Sequence, residues 1–218
     1  MIRQQLLLTT LIALLAVGAQ ARAELIVVGG SLEIPPNGRG FLDFTIRSDT
    51  GMDLLDVFGV QFLITATDTR RLEFVDPPTD PQLGDPGYIL FGDSASAAFP
   101  PASVVSPPGA PITYIGGDGT LSKLGVSVPT SDRLLVSLEV TAATLNPPAV
   151  GDVFTIGLID FGGNTFFEDP SFTPILFARI PGTVTIIPEP PTLLLLLGVM
   201  SCCPALYAWR RRWRRPAG

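Results

Sequence analysis

Phe41-Leu42-Asp43-Phe44-Thr45-Ile46-Arg47 alternates large apolar and polar residues without a break. At a two-residue period, Leu42, Phe44 and Ile46 share one face and Asp43, Thr45 and Arg47 the other. That is the pattern of a β-strand with one buried and one wet face. The same period groups Val60, Phe62 and Ile64, then Leu134, Val136, Leu138 and Val140 opposite Ser137, Glu139 and Thr141. Phe154, Ile156 and Leu158 form another set, and Val184 with Ile186 a last one. Shorter strand candidates are Leu25–Val28, Leu72–Val75, Tyr88–Phe91, Ile112–Ile115, Leu121–Val128 and Ile175–Ile180. No amphipathic helix is evident between the two ends. One-sided strands in this number predict an antiparallel β-sandwich.

The connections agree with that class. The 218-residue chain contains 22 Gly and 22 Pro, a composition of short strands and tight turns. Pro35-Pro36-Asn37-Gly38, Gly116-Gly117-Asp118-Gly119 and Phe161-Gly162-Gly163-Asn164 have the chemistry of turns. Asp76–Pro81 and Pro100–Pro111 are long and Pro-rich, so neither suits a central strand. There is no internal repeat.

Charge and residue types exclude several functions. All 20 acidic residues lie between Glu24 and Glu189, with only seven of the 14 basic ones: Arg39, Arg47, Arg70, Arg71, Lys123, Arg133 and Arg179. A domain so acidic repels nucleic acid and anionic lipid and is well solvated. The chain has no histidine, which removes Ser-His-Asp triads and almost all zinc or iron sites. Its two cysteines, Cys202 and Cys203, lie near the C-terminus, so the central region has neither disulfide nor thiol chemistry. Carboxylates are the remaining candidates: Asp49, Asp53 and Asp56 in one loop, Asp76, Asp80 and Asp85 in another, Glu168 and Asp169 in a third. Such groups serve as solvated loop charge, as oxygen ligands to calcium, or as the acid pair of a glycoside hydrolase. None matches the Asp-x-Asp-x-Asp-Gly calcium loop. Tyr88, Tyr114, Phe166 and Phe167 either stack on sugars or fill the core.

The ends read as targeting segments. Arg3, the apolar run Leu6–Gly18 and the small-x-small Ala21-Arg22-Ala23 form a secretory signal over residues 1–23, with cleavage after Ala23. Ala19-Gln20-Ala21 offers a second site. At the other end, Pro188-Glu189-Pro190-Pro191 precedes an apolar run from Thr192 to Trp209, 18 residues or about 27 Å as a helix, which just crosses a bilayer. Arg210, Arg211, Arg212, Arg214 and Arg215 then form a basic stop that keeps the C-terminus inside and the domain outside.

A Pro-Glu-Pro triplet, one membrane-spanning helix and a terminal arginine cluster, in that order, resemble the PEP-CTERM protein-sorting tail. The resemblance covers residues 188–218. It implies that an exosortase, a membrane-embedded cysteine protease, reads Pro188, Glu189 and Pro190. Processing would release the domain to the cell surface or the exopolysaccharide matrix.

The region 24–187 resembles the cohesin-like β-sandwich. Val57–Ile64 followed by Leu72-Glu73-Phe74-Val75 is similar to that family's Gly-Phe-Gln-Phe strand and the segment after it. Leu134–Val140 is similar to its late alternating strand, and Gly182–Ile186 to its closing strand. The inserts around Pro77–Asp85 and Pro100–Pro111 depart from the pattern. The resemblance implies a nine-stranded jelly-roll-type sandwich that binds rather than catalyses. The expectation is therefore an all-β domain flanked by a signal helix and a transmembrane helix. It is an exported, non-enzymatic adhesive or structural module without an obligatory cofactor, whose partner is polysaccharide or another surface protein. The alternative is a carbohydrate-active hydrolase using a loop carboxylate pair.

Overall fold

The structure is a computed structural model describing residues 24–65, 71–98, 103–106, 112–144, 146–160 and 163–189. The signal segment with Ala21 and Ala23, and the tail with Pro190 and Arg210–Arg215, lie outside the described residues. Among the described residues, no helix is long and apolar enough to cross a membrane.

The architecture is a two-sheet β-sandwich. One sheet has five strands, in spatial order β13 (Phe177–Ile180), β1 (Leu25–Gly29), β3 (Arg39–Ser48), β10 (Arg133–Ala142) and β6 (Leu72–Phe74). The other runs β2 (Ser31–Ile34), β14 (Gly182–Ile186), β11 (Val153–Leu158), β5 (Val57–Thr65), β8 (Thr113–Gly119) and β7 (Ser103–Ser106), with β12 (Phe166–Glu168) also paired to β5. A small ladder joins β4 (Leu54–Leu55) to β9 (Val126–Ser127). The apolar faces meet between the sheets: Leu42, Phe44 and Ile46 from β3, Phe62 and Ile64 from β5, and Ile156 from β11 are all buried. Phe44 and Phe62 pack with ring centroids 4.4 Å apart.

The fourteen strands described exceed the nine implied by the resemblance because the first and last strands each change sheet and because the short strands β4, β9 and β12 are added. β1 continues through Gly30 into β2, and β13 continues through Pro181 into β14. The two pass side by side, parallel in both sheets. Where they cross, a Cβ on Gly29 would lie 2.2 Å from the backbone nitrogen of Gly182. Only glycine permits that approach.

Four local expectations need correction. Gly116–Gly119 is not a turn but the second half of β8, paired with Val57–Val60. A Cβ on Gly117 would meet the Phe58 carbonyl oxygen at 2.7 Å, so that glycine serves strand contact rather than chain reversal. Leu134 does not share the buried face of β10. The register against β3 shifts between Leu134 and Val136, and Leu135 takes the core position. A bulge of this kind inserts one residue and displaces the alternation. Finally, Tyr88–Phe91 is a turn with a single bridge from Tyr88 to Leu134. Of Leu121–Val128, only Val126–Ser127 is strand. The Pro-rich 100–111 stretch does contain a strand, β7, at the edge of its sheet, where proline neighbours are tolerated.

Strand directions set the ends of the sandwich. β3 enters from the Pro35–Gly38 turn, closed by a Gly38 N–H to Pro35 carbonyl bond of 2.8 Å, and leaves at Ser48 beside Leu25. β14 runs the opposite way and finishes at Ile186 beside Ile34. Glu24 and the turn after Ser48 therefore share one end. The last ladder bond, Ile187 N–H to the Ile34 carbonyl at 3.0 Å, lies at the other. Pro188 and Glu189, immediately beyond it, are exposed.

Candidate functional site

Six of the eight loop carboxylates are committed to their own surroundings. Asp53 accepts the Ser48 hydroxyl at 2.5 Å, and that hydroxyl accepts the Gly51 N–H at 2.8 Å. Asp56 is buried and accepts the Thr120 hydroxyl. Asp80 accepts Ser103 Oγ at 2.6 Å and Tyr114 Oη at 2.9 Å. Asp85 accepts the Gly87 N–H, and Asp169 those of Ser171 and Thr173, both within single loops. Asp49 accepts the Glu24 N–H, and Asp76 is exposed. Glu168 ends β12, with a bridge to Pro174. Among the described residues no group of three or more acidic, Cys or His side chains is placed to hold a metal ion. These carboxylates terminate loops and strands, the role Asp fills when its oxygens satisfy nearby backbone and hydroxyl donors.

The most elaborate polar centre falls on Asp118, inside the stretch expected to be a turn. Its carboxylate accepts Tyr88 Oη at 2.7 Å, Ser94 Oγ at 2.5 Å, and the backbone N–H groups of Ser96 and Gly119 at 2.8 Å each. The centre closes the open flank of the sandwich. β6 pairs only with the end of β10, at Val140–Ala142. The chain from Pro81 to Leu90 then takes over the bare edge: Leu134 N–H donates to the Gly87 carbonyl, Ile89 N–H to the Leu134 carbonyl, and Ser137 N–H to Gln82 Oε1. A loop buried in this way must satisfy its polar groups internally. Asp80 and Asp118 do so as two acceptors, one on each side of the buried Tyr114–Tyr88 region. Burial, reinforced by Asp118, pushes the Tyr88 phenol well above its ordinary range. Burial and Asp80 do the same for Tyr114. Reading β8 as a strand would have found Asp118, since Tyr114, Asp118 and Thr120 fall on one period-two face and are all buried.

Beside this centre lies a cavity of about 10 Å³ lined by Gln82, Tyr88, Tyr114 and Gly116, among others. It has room for roughly one water and none for an organic ligand. Three of the four aromatics considered for sugar stacking are core residues: Tyr88, Tyr114 and Phe167 are at most 3% exposed. Phe166 alone is half-exposed, laid over Gly59 in the adjacent strand.

The two outer faces of the sandwich differ in charge. That of the five-stranded sheet is ionic: Arg39 pairs with Glu139 at 2.7 Å, Arg47 with Asp132 at 3.1 Å, and Ser137 donates to Asp43 at 2.6 Å. That of the seven-stranded sheet has no ionisable residue across its middle. On β5 the positions facing outward are Gly59 and Gln61, both buried beneath the Asn164–Phe166 segment, and Leu63 and Thr65, and on β11 Val153, Thr155 and Gly157. β8 contributes Thr113, Ile115 and Gly117, and β7 Val104. Ile115 sits between Gln61 and Val104, and Leu63 between Thr113 and Gly157.

The fold defines the class of protein: a two-sheet β-sandwich similar to cohesins. No protein-family model matches the chain, and no curated relative matches it by sequence. Solved structures do. The sixth cohesin of scaffoldin B from Acetivibrio cellulolyticus, solved in complex with a Cel5 dockerin mutant, is 11% identical. The match covers 76% of this chain and 99% of that one, with a TM-score of 0.50. A non-cellulosomal cohesin from the archaeon Archaeoglobus fulgidus is 15% identical over 75% of this chain and 91% of its own, with a TM-score of 0.49. At these identities the likeness is one of fold.

Proposed function

We propose that this chain is an exported, non-enzymatic protein-binding module that docks a partner on the uncharged outer face of its seven-stranded sheet. The carrying observation is the contrast between the two outer faces. A solvated ionic face is costly to dehydrate, whereas a flat face of Leu63, Ile115, Val104 and threonines loses little on leaving water. The cohesin solved with its dockerin supports a protein as partner. The engagement of six of the eight loop carboxylates in structural bonds weighs against the hydrolase alternative.

The binding test is affinity capture from envelope extracts. Ile115→Asp places a charge at the centre of the face, and Phe41→Asp places one on the ionic sheet. Ile115→Asp should weaken capture of a protein partner at least about tenfold, because an unpaired charge must be desolvated on docking. Phe41→Asp should leave capture unchanged. Equal behaviour of the two, or capture of polysaccharide by both, would overturn the assignment.

Delivery follows from the ends of the chain. We propose that the signal segment exports the domain and that an exosortase then reads Pro188, Glu189 and Pro190, releasing it to the cell surface or matrix. Support comes from the position of the triplet. It begins one residue after the last ladder bond, and Pro188 and Glu189 are exposed for a protease to grip. Glu189→Ala leaves the apolar run and the arginines untouched, so export and insertion should persist while release fails and a longer membrane-bound form accumulates. Wild-type protein that keeps Arg210–Arg215 in the inner membrane would show a plain anchor instead.

A further inference from the structure

We propose that removal of the signal creates a ligand for Asp49: the new α-ammonium of Glu24, which pairs with the Asp49 carboxylate and latches the first strand. The inference rests on the export reading above, with cleavage after Ala23. In that hydrolysis water adds across the Ala23–Glu24 amide. The C–N bond breaks, the hydroxyl joins the Ala23 carbonyl carbon, and the nitrogen leaves as an amine that is protonated at neutral pH.

The receptor is already in place. The backbone nitrogen of Glu24 donates to Asp49 Oδ1 at 3.0 Å, and the Asp49 N–H donates to the Glu24 carbonyl at 3.1 Å. Neither group can drift far. Leu25, the next residue, is fully buried, pairs with Ser48 across the β1–β3 ladder, and donates its N–H to the Leu176 carbonyl at 2.9 Å. Cleavage therefore leaves a single exposed residue ahead of a fixed strand, with its nitrogen held at the carboxylate. A neutral amide bond becomes one charged at both ends, the stronger kind.

The charged groups around it leave Asp49 to this role. Arg47, on the same strand, is engaged by Asp132 from the start of β10, and Asp53 by Ser48. The Glu24 carboxylate is the remaining anion next to the nitrogen. Among the described residues, Asp49 has no other side-chain bond. The latch sits at the end of the sandwich opposite Ile187, so removing the signal and removing the tail act on opposite ends of the domain.

The chain is unusually suited to the test because its only lysine is Lys123, which is exposed. The mature protein has two amines: the α-amine and an internal reference. The full chain is expressed in an exporting host, and the mature form is recovered and acylated across pH 6–9, with each site followed by mass spectrometry. With Glu24 as first residue, the wild-type α-amine should react about two- to fivefold more slowly near neutral pH than that of Asp49→Asn, because the ion pair holds it protonated. Lys123 should react equally in both. The difference should shrink in high salt, which also tests the wild type alone. A Glu24 start with equal, salt-independent rates would overturn the latch while leaving the export reading intact. A start at Arg22, from the second site, would overturn the latch and leave export intact, and an unprocessed Met1 start would overturn both.

Discussion

Asp118→Ala should lower the unfolding free energy by on the order of 4 kcal/mol, making it among the most damaging polar substitutions in the domain. Four donors converge on this one carboxylate, from Tyr88, Ser94, Ser96 and Gly119. Each buried donor left without an acceptor costs roughly 1–3 kcal/mol, and a water entering the vacated space recovers part of the sum. The loss should fall on the segment from Pro81 to Ala98, which includes the loop that closes the flank, because Tyr88, Ser94 and Ser96 all belong to it. Asp118→Asn keeps an acceptor oxygen and the shape of the side chain, so it should cost clearly less. Urea unfolding of both variants is the measurement. A cost below about 1 kcal/mol for the alanine would show that the loop is held by its apolar contacts, chiefly Tyr88, Ile89 and Leu90, and not by the carboxylate.

Gly29→Ala should be comparably severe, at about 3 kcal/mol or more, and should reduce the yield of soluble protein. The added methyl would stand 2.2 Å from the nitrogen and 2.4 Å from the Cα of Gly182, and 2.7 Å from the Phe44 ring. Two of those three neighbours are backbone, so no rotamer change relieves them. The crossing of first and last strands would have to open, at the upper end of what overpacked sites cost. Gly157→Ala is the control, because nothing lies within 4 Å of its added Cβ. It should be neutral or slightly stabilising, through reduced chain entropy in the unfolded state. Similar melting of the two variants would mean that the strands do not cross as closely as described.

The core strands were legible in the sequence for a simple reason. A half-buried strand writes its burial into its own alternation, and Leu42–Phe44–Ile46 and Phe154–Ile156–Leu158 needed no other information. The all-β class, the absence of histidine or cysteine chemistry from the central region, and the acidity of the domain were legible in the same local way.

The remainder depended on residues far apart in the chain. Gly116–Gly119 has the local chemistry of a turn, and only its pairing with Val57–Val60 makes it a strand. Asp118 then turns inward to meet Tyr88, 30 positions away. Leu134 yields its core place to Leu135 because a bulge against β3 shifts the register, and registers belong to pairs of strands rather than to either one. The uncharged face is likewise a property of the assembled sheet: Leu63, Ile115 and Val104 are scattered in sequence and become one surface only when β5, β8 and β7 lie side by side. By itself, then, the sequence determined which residues leave water, because that depends on side-chain chemistry and a two-residue period. Tertiary structure alone decided which of them meet, because strand pairing is a contact between distant segments that neither segment encodes by itself.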